Sequence, residues 1–434
     1  MNMKRKLEIA LATLLCVLSA VALLICVLLL TGKFKWKEDA SEEPVMPESE
    51  LLQETQEATP APVSTQTPTP VPTEPPEISN RQPDLLTTGE EPSPLYATIW
   101  PIKDLDVYED VSGQRVIGKV PACTMYCVLE ENAEKNLFRI RLTKDSYGYI
   151  SSKYCLINLP EYIGNLCAYN ITNSFCSAYT IHEYEIPGIT GTVIPGYESI
   201  CLADGSYLVP FLYPSAQKLI VAANKALEQG YRIKIYDSYR PQIATQYIYD
   251  TAMAIVYQAL PATTCTGREV SLPNPPVNKG RDYLMYIDLI TMNGWDLGSF
   301  LAPGSSRHNM GVALDMTLES LETGEEIPAQ TVMHDLSAFS TTRSNNEIAN
   351  TILSIMQSAK MSTIISEWWH FQDNNAMNGL GLPYCKEGVS AKGWIADEKG
   401  ERYRLTNGAI VKNGMISTDE GIFTLDSDGY LVNK

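Results

Sequence analysis

From Ile9 to Gly32 the chain carries no charge and is dominated by Leu, Val, Ala, Ile and Cys. Such a run is long enough for a helix to cross about 30 Å of hydrocarbon. Lys4, Arg5 and Lys6 precede it, but it is longer than a signal-peptide core and lacks a clean A-x-A site. It predicts a transmembrane signal anchor over 9–32, with cleavage as the competing reading. From 33 to 95 the apolar positions thin out into Pro, Thr, Glu and Ser, including Thr59-Pro60-Ala61-Pro62 and Thr67-Pro68-Thr69-Pro70. That composition cannot bury enough apolar surface to fold, and it predicts an extended, disordered linker.

Period-two alternation begins after the linker. Val116–Val120, Phe138–Leu142 and Tyr147–Tyr154 alternate apolar and polar residues between turn signals, which predicts a small all-β domain over 96–158. Over 160–385 helical and strand periods are mixed. Pro214 to Gln229 places Leu219, Ala223, Ala226 and Leu227 at helical spacing and ends at Gly230, and Arg232–Tyr236 then alternates as a strand. Asp237-Ser238-Tyr239-Arg240-Pro241 breaks the strand, with Pro241 suited to the first turn of a helix, so Arg240 sits at a strand-to-helix turn. Ser344-Asn345-Asn346-Glu347 has the capping-box spacing, and Ile348, Ile352, Ile355 and Met356 give the following helix one apolar face. These elements predict an α+β domain built on a mainly antiparallel sheet. In the tail, 390–434, Gly and aromatic positions recur about every 20 residues, as in short repeats that bury a core only by stacking. A simple β-hairpin cap fits the same pattern.

Composition narrows the classes. The net charge of -18 excludes a nucleic-acid binder, which needs clustered Lys and Arg. Cys123, Cys127, Cys155, Cys167, Cys176, Cys201, Cys265 and Cys385 follow the apolar run without a Cys-x-x-Cys or zinc-ribbon spacing. Structural bridges are the favoured reading over metal ligation, with the pairing open.

Candidate chemistry lies in two segments, Ser306-Arg307-His308-Asn309-Met310-Gly311-Val312-Ala313-Leu314-Asp315 and Ser366-Glu367-Trp368-Trp369-His370. They hold two of the four histidines in the chain. His308, Asp315 and His370 supply the three protein ligands that a catalytic zinc keeps beside an open position for water. Glu367, three residues before His370, is placed to take that water's proton. His308 and Asp315 are seven apart, too far for one helix face, so the spacing predicts a bend at Gly311 leading into a strand. A structural zinc would close its fourth position with another Cys or His, and neither motif provides one.

Ser-x-His-x-x-Gly-x-Ala-x-Asp followed by Glu-x-Trp-His, with Tyr239-Arg240-Pro241 upstream, resembles the zinc D-alanyl-D-alanine dipeptidases, within the wider zinc D,D-peptidases of peptidoglycan. The likeness runs from about Asn165 to Gln372. It implies one zinc per chain on His308, Asp315 and His370, with Glu367 as general base. It further implies that Arg240 stabilises the oxyanion and that Ser306 helps hold substrate. One position departs. The family's amine-binding aspartate, preceded by phenylalanine, falls here on His334, preceded by Met333 and followed by Asp335. Either Asp335 serves after a one-residue shift, or amine recognition is weakened, which favours D,D-carboxypeptidase activity on stem peptides. The strands of 96–158 resemble the bacterial SH3-like barrel, and the tail resembles cell-wall or choline-binding repeats of Gram-positive surface proteins. Together these likenesses imply a single-pass protein of a Gram-positive type cell surface. Its catalytic region would lie outside the membrane, meeting D-Ala-D-Ala or peptidoglycan peptides and the wall. A non-catalytic wall-binding protein is the remaining alternative.

Overall fold

The computed structural model describes residues 92–170, 172, 177–256, 286, 288–292, 294–383 and 388–432. The expected anchor and most of the expected linker lie outside these residues. Among the described residues no helix is long and apolar enough to cross a membrane. The described residues lie in one compact unit.

The unit opens with short strands: β1 (Thr98–Pro101), β2 (Leu105–Tyr108), β3 (Val116–Val120), β4 (Tyr126–Cys127), β5 (Glu130–Asn132), β6 (Leu137–Thr143), β7 (Ser146–Ser151) and β8 (Cys155–Asn158). Helix α1 (Leu159–Ile163), β9 (Cys167–Tyr169), the small hairpin β10 (Thr180–Ile181) and β11 (Tyr184–Glu185), and β12 (Pro210–Leu212) follow. Then come α2 (Tyr213–Leu227), β13 (Tyr231–Asp237), α3 (Gln242–Val256), β14 (Ala313–Ser320), α4 (Glu347–Ser358), β15 (Ser362–Thr363), β16 (His370–Gln372) and α5 (Asn374–Leu380). The tail holds the hairpins β17 (Gly393–Asp397) with β18 (Gly400–Arg404) and β19 (Gly414–Thr418) with β20 (Gly421–Leu425).

The expected SH3-like barrel is not closed. Its strands divide between two sheets, one in the order β3-β2-β7-β6-β5 and another in the order β12-β8-β1-β4. The cause is β8, whose Cys155-Leu156-Ile157-Asn158 is buried throughout rather than alternating. A strand buried on both faces and bonded along both edges belongs at the centre of a sheet. It pairs with β1 on one side and β12 on the other, which draws β1 and β4 away from the strands that would complete a barrel. The C-terminal hairpins share a small core of Trp394, Tyr403, Phe423 and Leu425. A buried ion pair fastens them to β6, with Arg141 Nε donating to Glu401 Oε1 at 2.7 Å.

The sheet that carries the chemistry has the order β15-β16-β14-β13-β9 and is antiparallel except where β13 runs parallel to β9. One face packs on α2 and α4. Ile233 and Ile235 of β13 with Leu314, Met316 and Leu318 of β14 meet Leu219, Ala223 and Ala226 of α2 and Ile352, Ile355 and Met356 of α4. Helix α4 is capped by Asn346, whose side chain accepts from Ala349 N, and not by the expected Ser344. The alternate residues of β14, Ala313, Asp315, Thr317 and Glu319, are also buried but lie outside that cluster. Period two thus turns them to the opposite face, where the site is built.

Candidate metal centre

Strand register assembles the site. Leu314 lies opposite Phe371 and Asp315 opposite His370 in the β14–β16 ladder, so the carboxylate and the imidazole share a face at the closest cross-strand spacing. On the other side of β14, Asp237 lies opposite Asp315 after a register shift between Ile235 and Asp237. That bulge re-aims Asp237, which would otherwise follow Ile233 and Ile235 onto the core face.

His308 arrives from a 3-10 turn, Arg307–Met310, that ends at Gly311 with φ 63°. A Cβ at Gly311 would also collide with the Leu156 side chain, so this bend requires glycine on both counts. The expected bend-then-strand is therefore what the chain forms. The turn is buttressed by Asn309, whose Nδ2 donates to Arg240 O at 2.6 Å and Thr245 Oγ1 at 3.0 Å. His308 Nδ1 lies 2.7 Å from Ser238 O, which can only accept. Nδ1 therefore donates, and Nε2 is the nitrogen turned to the site. His370 is oriented the same way at its other end, where Nε2 lies 3.3 Å from Gln372 Oε1. Gln372 is itself held because its Nε2 donates to Asn374 Oδ1 at 2.8 Å.

The three donor atoms form a small triangle. His308 Nε2 to His370 Nδ1 is 3.3 Å, His370 Nδ1 to Asp315 Oδ1 is 3.1 Å, and His308 Nε2 to Asp315 Oδ1 is 3.5 Å. A tetrahedral ion with bonds of about 2.0–2.2 Å needs donors about 3.3–3.6 Å apart. In the metal-free chain shared protons hold these three atoms together, and buried N and O donors converging at this spacing fit a cation that would displace those protons; His2Asp suits zinc. His308, Asp315 and His370 are the one such metal-capable group of His, Cys and acidic residues among the described residues.

Glu367 and Arg240 stand beside the triangle. Glu367 Oε2 is 3.7 Å from His370 Nδ1, and burial pushes its carboxyl up to about 8 against the opposing pull of His370. Burial works in the same direction on Asp315. There the charge of His308 and hydrogen bonds from His308, His334 and His370 outweigh it and hold the carboxyl well below the usual range. Burial works against the charge on His370, but the hydrogen bond and charge of Asp315 raise it. Arg240 is buried with its Nε on Asp237 Oδ2 at 2.7 Å and its Nη2 on Asp315 Oδ2 at 3.3 Å. Burial opposes its charge, while Tyr179, Asp237, Tyr197 and Asp315 around it keep the guanidinium well above its ordinary value.

The triangle, Glu367 and Arg240 line a cavity of about 300 Å³, together with Ser306 and Tyr179. Ser306 Oγ is buried there without a partner. His334 and Asp335 do not line it. His334 Nε2 contacts the back of Asp315, at 3.1 Å from Oδ2. Asp335 is fully buried in the next turn, its Oδ1 accepting from His182 N at 2.9 Å and Ser337 N at 2.8 Å. The motifs did not reveal Tyr179, Asp237 or Gln372. Gln372 was legible in principle, since it lies two residues beyond His370 in one strand and so shares its face. Nothing in the local pattern marks Tyr179. Of the cysteines, Cys123 is disulfide-bonded, whereas Cys127, Cys155, Cys167 and Cys201 are free and away from the triangle.

No protein-family model matches the chain. A D-alanyl-D-alanine dipeptidase of Enterococcus faecium is similar to it, 28% identical over 188 residues that make up 42% of this chain and 78% of that enzyme.

Proposed function

We propose that this chain is a zinc-dependent hydrolase that cleaves the peptide bond of D-Ala-D-Ala in peptidoglycan metabolism. On this reading it works outside the membrane, tethered through 9–32, with the wall as its surroundings. The observation that carries the proposal is the convergence of three metal-capable atoms, His308 Nε2, Asp315 Oδ1 and His370 Nδ1, beside a buried carboxyl and a buried guanidinium. Similarity to the enterococcal dipeptidase supports the choice of substrate. Zinc, when bound, lowers the pKa of water and polarises a carbonyl. Glu367 takes the water's proton and returns it to the leaving amine; its high metal-free value marks a group that exchanges protons near neutral pH. Arg240 meets the charge that develops on the carbonyl oxygen, and because Asp237 and Asp315 already fix its guanidinium, little reorganisation is needed. The free Ser306 hydroxyl supplies a hydrogen bond to substrate.

Arg240→Lys keeps a cation beside Asp237 but loses the planar fork. It is expected to retain zinc while kcat falls on the order of 10²-fold, with KM changed far less, because the lost contact forms mainly in the transition state. Steady-state kinetics with metal analysis checks this. A KM effect alone would place Arg240 in substrate binding instead.

A second reading, zinc D,D-carboxypeptidase, is favoured by one observation. Among the described residues lining the cavity the carboxylates are Asp315 and Glu367, both already committed, so a free α-ammonium finds no spare partner. Asp335, the shifted candidate, is held in the adjacent turn by two backbone amides. An unpaired buried ammonium costs several kcal/mol, whereas an acylated nitrogen carries no such penalty. The kcat/KM ratio for D-Ala-D-Ala against an N-acetylated tripeptide ending in the same pair separates the two. A ratio above one is expected for the dipeptidase, and a ratio well below one assigns the chain to carboxypeptidase chemistry.

A further inference from the structure

We infer that His334 is a positioning residue that divides the two oxygens of Asp315, holding Oδ2 away from the metal position so that Oδ1 alone serves as ligand. This rests on the zinc reading above. The division is visible in the contacts. Oδ1 faces His370 Nδ1 at 3.1 Å and His308 Nε2 at 3.5 Å, whereas Oδ2 is taken by His334 Nε2 at 3.1 Å and Arg240 Nη2 at 3.3 Å. A carboxylate with donors on one oxygen resists rotating to offer both, which preserves an open coordination position.

The ring is built to aim that nitrogen. His334 is fully buried, stacked on Tyr179 with centroids 4.6 Å apart and 19° between planes. The rings of Trp369 and Tyr236 stand edge-on to it at 5.9 and 6.3 Å. Asp315 can only accept, so Nε2 donates, while Nδ1 is buried with no partner. The backbone at His334 lies in the left-handed region, φ 59°, which is unfavourable for a non-glycine residue and persists only where surroundings enforce it. Here they do. Thr180 N donates to His334 O at 3.2 Å, and Oδ1 of the following residue, Asp335, accepts from the backbone amides of His182 and Ser337. A residue serving only to fill the core has no need of a strained backbone and a nitrogen directed at a ligand carboxylate.

The test measures metal affinity, not turnover. Zinc affinity of the full chain is read by competition with a chromophoric chelator for wild type, His334→Phe and His334→Gln. Phe keeps the stacked ring without a donor, and Gln replaces the donor at similar reach. The expected result is a 10–100-fold loss for His334→Phe, the range seen when partners of metal ligands are removed. His334→Gln should recover most of that loss, and the cobalt-substituted Phe variant should lose visible-band intensity as the second oxygen enters the coordination shell. Wild-type affinity in a folded His334→Phe, or equal losses in both variants, overturns the proposal. Absence of stoichiometric zinc in wild type overturns the metal reading itself and the positioning role with it. Should His334→Phe not fold, nitrogen-15 NMR of the zinc-loaded wild type decides. A slowly exchanging Nε2 proton on His334 is expected, and its absence refutes the assignment.

Discussion

On the zinc reading, His308→Ala and His370→Ala are each expected to abolish zinc binding by the full chain and to lower D-Ala-D-Ala hydrolysis by at least about 10³-fold, because a metal that supplies both nucleophile and Lewis acid would be lost. The two imidazoles are not interchangeable with the water that would fill their space. His308 holds its Nε2 in place through the 2.7 Å contact from Nδ1 to Ser238 O, and His370 stands directly across the ladder from Asp315. Deleting either leaves two donors, and two ligands do not hold zinc against the water competing for it. Wild type should carry one zinc per chain by metal analysis and each variant well below about a tenth. Full activity in a zinc-free variant would refute the whole assignment.

Glu367→Gln should keep zinc and lose activity by 10²–10⁴-fold, roughly the contribution of one general base. The same variant carries a pH signature in the metal-free protein. Burial pushes the Glu367 carboxyl from its ordinary 4.5 up to about 8. Between those values the folded chain keeps a proton that the unfolded chain has released, so stability falls as pH rises through that window. Glu367→Gln has no such carboxyl to ionise. Relative to wild type, its metal-free melting temperature should therefore be higher at pH 8 than at pH 5 by several degrees. His370, raised by Asp315, stabilises below its ordinary value and loses that stabilisation as pH rises. The charge of Glu367 also raises His370, so the difference between variant and wild type reports the Glu367–His370 pair, with Glu367 setting its sign. Equal pH dependence in the two would show that the carboxyl is not the buried titrating group.

Local pattern revealed the elements and the donor types more readily than their meeting. Val116–Val120 forms β3 with the bounds that alternation marks, and Leu219, Ala223 and Ala226 are the buried face of α2. The bend at Gly311 was legible because His308 and Asp315 cannot share a helix face. What brings Asp315 to His370 is not local: it is the pairing of strands 55 residues apart in the β14–β16 ladder. The barrel failed for a related reason. Cys155-Leu156-Ile157 is a short apolar run, which fits a central strand as well as a barrel strand, and its second partner, β12, lies about fifty residues further on. Ser344 lost the cap to Asn346 because both side chains suit that role and packing of Ile352, Ile355 and Met356 sets the helix phase. At His334, sequence position suggested the substrate. The left-handed backbone and the stack on Tyr179 set its ring against Asp315.

The pairing of β8 with β12 makes the region that holds His308, Asp315 and His370 inseparable from the strands that precede it. Beyond that pairing, Leu212 N donates to Gly311 O at 2.7 Å, and Ser238 Oγ and Tyr239 N both bond Pro210 O. Hydrogen bonds therefore run without a break from β1 through β8 and β12 into the bend that presents His308 and the arm that presents Arg240. A recombinant fragment starting at residue 160 would strip β12 of its neighbour and leave Phe211 and Leu212 at a raw edge, inviting aggregation. Exchange of parts between related chains at this seam would separate His308 and Arg240 from the strands that hold them in place.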